Sequence, residues 1–451
     1  MKITEITNGI HYVGVNDRCK YKFENLWPLP YGVSYNAYLI TDKKNVLIDT
    51  VDAAYTDRLL DNIAEIIGDG KIDYLIINHM ETDHSASIQF IRQKYPQMTI
   101  VGNIKTLEMV KGYYGIDDNT LCIKNGESLS IGKRTLTFHL TPMVHWPETM
   151  MTYVNEDKLI FSGDAFGCFG TLDGGITDSQ LNTDKYWSEM VRYYSNIVGK
   201  YGPAVQTALK KLSDIEIKTI CSTHGPIWEK EITRVIGIYD RLSRYEGEPG
   251  VVIAYGSMYG HTEQMAEEIA RELAANGIKE IVLHNVSHED PSYILQNIFR
   301  YRGLIIGSPT YSNRLFPAVE TLTEMIATRD IKNRTFAYFG SFTWAGAAVK
   351  HLAAFAESMK WETIPCCIEM KQSITPAIKE QCRNLAQEMA ARLTNPIKER
   401  ERILFFPVLL YSKSFLLTIT FSEQTFIPRN NIFRPRRSIS ITIFSATILA
   451  I

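Results

Sequence analysis

Four side chains able to bind a metal ion, His79, Glu81, Asp83 and His84, fall within six residues directly after the apolar run Tyr74-Leu75-Ile76-Ile77. The run reads as a buried strand, and the polar cluster reads as the loop at its end. An extended or tightly turned loop aims several side chains at one point, which a helix does not do at i, i+2, i+4 and i+5. Alone, such a cluster also fits a solvated turn, so its weight depends on partners elsewhere. They exist. His145 lies in Pro142-Met143-Val144-His145-Trp146-Pro147, Asp164 follows Leu159-Ile160-Phe161-Ser162-Gly163, and His224 sits between Ile220-Cys221-Ser222-Thr223 and Gly225-Pro226. Each stands just past an apolar strand and close to Gly or Pro. Together the seven residues read as ligands for two metal ions, with Asp164 as the natural bridge. Imidazole mixed with carboxylate suits iron, zinc or manganese rather than a thiolate site.

The rest of the chain supplies the frame. Strand-like runs precede the cluster at His11 to Val15, Tyr35 to Ile40 and Asn45 to Asp49, and apolar spacing predicts a helix over Thr56 to Ile67. Further strands follow at Thr99 to Val101, Thr135 to Leu140, Met150 to Val154, Lys158 to Ser162 and Lys218 to Ser222. Helices are expected at Asp184 to Val198 and Pro203 to Leu212. The breaker-rich segment Arg244 to Gly250 marks a domain boundary. Beyond it strands at Val251 to Tyr255, Glu280 to Asn285, Gly303 to Gly307, Thr335 to Gly340 and Thr363 to Glu369 alternate with helices. That alternation indicates a doubly wound parallel sheet. From about residue 401 the chain turns rich in Phe, Ile, Leu, Ser and Thr without a sustained period, and it reads as a poorly ordered appendage of no assigned function.

Bulk properties exclude several classes. With 451 residues, two or three domains of about 150 residues are expected. A net charge of -2 gives no electrostatic case for nucleic acid or an acidic membrane surface. Seven scattered cysteines, with no C-x-x-C pair, argue against a disulfide framework and against a rubredoxin-type site within the chain. No run approaches the roughly 18 apolar residues of a membrane helix, and the first residues lack the apolar core of a signal peptide. A cytoplasmic location is expected.

A second constellation follows the boundary. After the strand Val251 to Tyr255 comes Gly256-Ser257-Met258-Tyr259-Gly260-His261-Thr262 and then a helix. Hydroxyls, a glycine and a helix N-terminus form an anion cradle in which free N–H groups meet a phosphate. Two later loops, Gly307-Ser308-Pro309-Thr310-Tyr311 and Gly340-Ser341-Phe342-Thr343-Trp344-Ala345-Gly346, also follow strands and carry Tyr311, Phe342 and Trp344. Aromatic surfaces there suit a flat ring, since ligands of such sheets bind beyond the carboxyl ends of the strands. Plain core packing of Tyr311 and Trp344 is the competing reading.

The order H-x-E-x-D-H, His, Gly-Asp, His-Gly-Pro resembles the metallo-β-lactamase-like domain of the flavodiiron proteins (A-type flavoproteins). The three later loops resemble the FMN site of flavodoxin-like domains, as found in the same proteins. The resemblance spans roughly residues 1 to 400. It implies an αββα sandwich over 1–247, a flavodoxin-like doubly wound parallel sheet over 248–400, and an atypical tail over 401–451. Hydrolases of the same superfamily carry H-x-H-x-D-H, where this chain has Glu81. A carboxylate in place of a neutral ligand favours the higher oxidation states of iron. By resemblance, one iron would be held by His79, Glu81, His145 and Asp164, and the other by Asp83, His84, Asp164 and His224. FMN would be held by residues 257–262 (Ser257, Met258, Tyr259, Gly260, His261, Thr262), 308–311 (Ser308, Pro309, Thr310, Tyr311), and by Ser341, Phe342, Thr343, Trp344 and Gly346. The first loop departs from ordinary flavodoxins at Tyr259, and the third at Thr343, Ala345 and Ala347.

The implied activity is reduction of O2 to water, of NO to N2O, or both, with electrons passed through FMN to the two iron ions. By the same resemblance Tyr193 would donate a hydrogen bond at the irons; a helix residue simply packed on the core is the competing reading. A separate rubredoxin or a flavin/NADH reductase would supply electrons, and a head-to-tail homodimer would set one subunit's flavin against the other's irons. Two rivals stand beside this reading: a zinc hydrolase fused to a flavodoxin module, and an electron carrier with an empty metal site.

Overall fold

The computed structural model describes residues 4–394. The expected appendage from residue 401 lies outside them.

Two facing sheets form the first half. The first has seven strands in the order Thr4–Thr7, Ile10–Tyr12, Tyr38–Ile40, Val46–Ile48, Tyr74–Ile76, Thr99–Gly102 and Thr120–Cys122. The second has five, ordered Ser128–Ser130, Thr135–Leu140, Met150–Val154, Leu159–Gly163 and Thr219–Ser222. Period-two alternation explains the layering. Ile48 and Ile76 point into the core between the sheets, where they join Phe138, Met150 and Phe161. Leu47 and Leu75 point outward, where helix Thr56–Ile67 buries Leu59 and Ile63 against them. Helices Gly202–Leu212 and Ile232–Ser243 cover the outer face of the second sheet, contributing Val205, Val235 and Leu242 beside Ile160. The result is the αββα sandwich that the resemblance implied.

The second half is a parallel sheet in the order Ile281–Asn285, Glu248–Tyr255, Tyr301–Pro309, Thr335–Phe342 and Glu362–Thr363. Strand Ile368–Lys371 also pairs with Thr335–Phe342, so the expected fifth strand is split in two around Pro365. The strand order 2-1-3-4-5 places a switch point between the first and third strands in chain order. Helices His261–Ala275 and Pro376–Thr394 pack on one face through Met265, Ile269, Leu385 and Met389.

One apolar cluster runs through both halves, from Leu39 and Ile160 through Tyr194, Val198 and Tyr245 to Phe299 and Leu304. The breaker-rich segment at 244–250 takes part in it. Tyr245 is buried with φ +56°, its hydroxyl donates to the Gly199 carbonyl at 3.1 Å, and its own carbonyl accepts from Arg334 Nη1 at 2.8 Å. Among the described residues no helix is long and apolar enough to cross a membrane.

Candidate metal centre

The seven singled-out residues meet at one end of the sandwich, between the sheets. His79 and Glu81 follow strand Tyr74–Ile76, and Asp164 follows Leu159–Gly163. His224 follows Thr219–Ser222, and His145 lies in the turn leading to Met150–Val154. All seven are buried. They fall into one group of His79, Glu81, His145 and Asp164 and another of Asp83, His84 and His224. One expectation needs correction, because the cluster is not loop throughout. Thr82–Ser85 is a single helical turn, with the amides of His84 and Ser85 both bonded to the Glu81 carbonyl at 3.0 Å. That turn swings Asp83 and His84 toward one group while the extended His79 to Glu81 stretch serves the other.

Asp164 lies between the groups with one oxygen for each. Its Oδ2 is 2.9 Å from His145 Nε2 and 3.5 Å from His79 Nε2, and its Oδ1 is 3.1 Å from His84 Nε2 and 3.8 Å from His224 Nε2. Glu81 Oε2 stands 3.3 Å from His145 Nε2 and 3.4 Å from His79 Nε2. In the second group Asp83 Oδ2 is 3.2 Å from His84 Nε2 and 3.3 Å from His224 Nε2. Donors bound to one ion at about 2.0–2.2 Å stand about 3–3.5 Å from each other, so the spacing is that of two coordination shells sharing Asp164.

The bonding of the individual atoms fits metal ions. His79 Nδ1 bonds Glu148 Oε1 at 2.8 Å, and His224 Nδ1 donates to the Ser34 carbonyl at 2.7 Å, which leaves each Nε2 lone pair facing inward. His84 Nε2 and His224 Nε2 stand 3.0 Å apart. Both oxygens of buried Asp83 lack a hydrogen-bond partner. Donor atoms thus face one another across a gap that a cation would fill. The electrostatics agree. Burial depresses the imidazoles, yet the carboxylates outweigh it: Asp164 and Glu81 push His145 up to about 9, and Asp83 and Asp164 push His84 up to about 9. Against the opposite pull of burial, His79 and His84 hold the Asp164 carboxyl well below its usual range. Three buried carboxylates at this point require positive charge, which protonated imidazoles or metal ions both supply.

Several supporting residues escaped the sequence. Glu148 also accepts the Met80 amide at 2.9 Å, and Thr223 Oγ1 donates to Asp164 Oδ1 at 2.6 Å. Asp49, at φ +53°, accepts the Asn78 amide at 2.7 Å and its side-chain nitrogen at 2.9 Å, which pins the start of the cluster. Gly225 is required where it stands: φ is +75°, and a Cβ there would lie 2.3 Å from Cys168 Sγ. Glu24 sits at the tip of the hairpin Lys22–Phe23 and Trp27–Pro28 with its residue surface largely exposed, yet desolvation of its carboxylate together with the Glu81 charge pushes it up to about 7. No local signal marks Glu148, because its partner His79 lies 69 residues away, and none marks the approach of Glu24 to Glu81.

Tyr193 ends helix Asp184–Tyr193, and its ring lies 5.6 Å from the His224 ring and 5.0 Å from Phe169. Its buried hydroxyl has no hydrogen-bond partner. Burial, then the Asp164 charge, holds that phenol protonated far above its ordinary range. The expected helix runs unbroken to Val198 but changes type on the way: after Tyr193 it widens into a π-turn over Tyr194–Val198.

The three later loops cluster at the carboxyl end of the parallel sheet. Gly260, at φ +87°, ends the first loop and caps helix His261–Ala275 without a side-chain bond, so the first helical N–H groups point outward. Buried Thr262 Oγ1 and Ser341 Oγ are 2.8 Å apart and tie the first loop to the third. His261 Nδ1 lies 2.8 Å from the Gln372 carbonyl. Thr310 Oγ1 accepts the Ala347 and Ala348 amides at 3.0 and 3.1 Å, joining the second loop to the third, while Ser308 Oγ accepts the Phe316 amide at 2.9 Å. Core packing fails for the aromatic residues: Tyr259 and Trp344 are each 88% exposed and Tyr311 is 47% exposed, with Met258 at 45% beside them. Phe342 is half-buried, while Thr343 and Gly346 are exposed.

Comparison with known proteins agrees with both halves. Residues 33–225 match the ODP family beta lactamase model, and residues 253–392 match the flavodoxin model. A nitric oxide reductase of Moorella thermoacetica is 33% identical over 402 residues, covering 86% of this chain and 98% of that one. Among solved structures, a rubredoxin oxygen:oxidoreductase from Desulfovibrio gigas superposes with a TM-score of 0.83 at 31% identity, covering 87% of this chain and 98% of that one. The flavodiiron protein of Giardia intestinalis gives 0.84 at 28% identity, covering 89% of this chain and 98% of that one. With both domains matched in the same order and nearly the whole length of these relatives covered, the chain belongs to the flavodiiron proteins.

Proposed function

We propose that this protein is an oxidoreductase that reduces O2 to water, NO to N2O, or both, with FMN held by the three loops and two iron ions held by the seven ligands. The observation that carries the reading is the pair of ligand groups around Asp164, with Glu81 facing His79 and His145. A carboxylate at that point adds negative charge that a hydrolytic zinc pair does not need. The iron pair and the flavin would supply the redox electrons. The chain's own residues do the rest. Glu148 and the Ser34 carbonyl fix the tautomers of His79 and His224, Asp164 joins the two subsites, and Tyr193 offers a protonated hydroxyl beside His224. The dry surroundings strengthen each of these interactions.

The remaining assignments belong to the same proposal: division near residue 247, a cytoplasmic location, a separate electron donor and a head-to-tail homodimer. The exposed Tyr259, Tyr311 and Trp344 around the flavin loops support a partner surface there. Metal and flavin analysis, followed by anaerobic reduction and parallel measurement of O2 and NO uptake, tests the function. Two irons and one FMN per chain with rapid uptake are expected. Zinc without iron, and no uptake of either gas, would sink it.

A further inference from the structure

Tyr193 stands at the entrance to a π-turn, and that turn is gripped by the other domain. The turn's own side chains bond back to the carbonyls of the last α-helical turn: Ser195 Oγ donates to Val191 at 2.8 Å, and Asn196 Nδ2 donates to Arg192 at 2.8 Å. From the flavodoxin-like domain, the Ser292 carbonyl accepts Asn196 Nδ2 at 3.1 Å, and Arg329 Nε donates to the Ser195 carbonyl at 3.1 Å. Arg329 directly follows helix Pro317–Thr328, and its Nη1 donates to the Met325 carbonyl at 2.9 Å. Its guanidinium lies 5.4 Å from the centre of the Trp27 ring, and Trp27 Nε1 donates to Glu24 Oε2 at 2.9 Å. One side chain of the second domain therefore touches both the π-turn that follows Tyr193 and the hairpin that carries Phe23 and Glu24, and the Tyr193 and Phe23 rings lie 5.6 and 5.3 Å from the His224 ring.

We propose that Arg329 is a positioning residue through which the flavodoxin-like domain fixes Tyr193 and the Glu24 hairpin against the metal pocket. The inference rests on the function proposed above for its catalytic consequence, and on geometry alone for the strut. Among the described residues no carboxylate lies within ion-pair distance of Arg329, and burial lowers its pKa to about 10 against the opposing charge of Glu24. A half-buried cation served by carbonyls and an indole face is there for its shape. The planar fork donates in two directions while stacking, which a lysine cannot do.

The test compares Arg329→Gln, Arg329→Lys, Tyr193→Phe and the double variant Arg329→Gln/Tyr193→Phe in the full chain loaded with iron and FMN. Arg329→Gln should lower kcat for gas reduction about as much as Tyr193→Phe, roughly tenfold, at unchanged iron and FMN content. The double variant should be no slower than the slower single one, because both changes remove the same placed hydroxyl. Arg329→Lys should not restore the rate. In metal-free protein, amides of residues 194–198 should exchange about tenfold faster in Arg329→Gln, with Leu159–Gly163 unaffected. Unchanged exchange in that turn, or losses that multiply in the double variant, would overturn the proposal. A wild type that consumes neither gas overturns the proposed function instead, and the exchange measurement then decides the strut on its own.

Discussion

The two sites of this chain are built on opposite plans. The metal pocket is closed, its donors are buried side chains, and several of those donors are fixed by a second residue: Glu148 for His79, Ser34 for His224 and Thr223 for Asp164. The flavin loops are open. Their donors are backbone N–H groups and short hydroxyls, and their large side chains, Tyr259 and Trp344, stand in solvent. Preorganisation is thus concentrated where charge must be held without water, since a misplaced carboxylate in a dry pocket is costly. A flat ligand on an exposed rim needs less. Substitutions in the pocket should therefore act steeply and through metal binding, and those in the loops gently and through affinity.

Asp164 is the sharpest probe of that contrast, because it alone faces both groups. Asp164→Asn keeps the shape and removes the bridging charge. Bound iron should fall from two toward zero per chain and gas reduction by more than about a thousandfold, with FMN content unchanged; removing one member of a buried charge network costs about 3–5 kcal/mol. Plasma emission metal analysis beside flavin absorbance reads both. A variant that keeps two irons would break the comparison.

Metal removal exposes the same asymmetry as a pH effect. Without metal, the Asp83, Asp164 and Glu81 carboxylates should hold His84 and His145 up at about 9 in spite of burial, above the roughly 6.5 of an unfolded chain. A raised value means that the native state binds the proton more tightly. This stabilisation is complete below about 6.5 and is lost as pH rises through about 9. The Tm of the metal-free protein should therefore fall steadily between about pH 6.5 and 9.5. The iron-loaded protein should stay nearly flat there, because the metals take the place of those protons. Parallel slopes for the two forms would sink the account.

What could be read from the sequence follows the same division. Metal donors carry their chemistry in the side chain, so His79, Glu81, Asp83, His84, His145, Asp164 and His224 stood out by type and by position after apolar strands, and the fold brings all seven together. Glu148 was invisible, because its role exists only when His79 arrives from 69 residues away. The helical turn at Thr82–Ser85 looks like loop in the sequence, since four residues are too few for a period to register. The π-turn after Tyr193 has no local signature either, since Ser292 and Arg329, which bond it, lie about 100 residues or more further along the chain. At the flavin loops, order along the chain located the cradle, but nothing in the sequence told exposed aromatics from packed ones.

Glu148→Gln sharpens the comparison at intermediate strength. The side-chain amide of this variant would still reach His79 Nδ1, yet without the full charge that raises the basicity of the ligand. Outer partners of this kind carry about 10–100-fold in metal affinity. Competition with a chelator of known affinity should show a loss in that range at the His79 subsite, while the Asp83 subsite retains its metal. Equal loss at both would mean that Glu148 supports the whole pocket rather than one ligand.

The smallest effect is expected at Trp344. Its ring lies almost wholly in solvent, held in a loop whose anchors are Ser341 and the amides of Ala347 and Ala348. Trp344→Ala leaves those anchors in place and removes only aromatic surface, worth about 0.5–1.5 kcal/mol, so FMN should bind about 2–10-fold more weakly by flavin fluorescence titration. Iron content and the Tm of the metal pocket should not move. A loss of a hundredfold or more would mean that the loop closes over its ligand as tightly as the pocket closes over its metals. The contrast between a closed site of side chains and an open site of backbone would then fail from the flavin side.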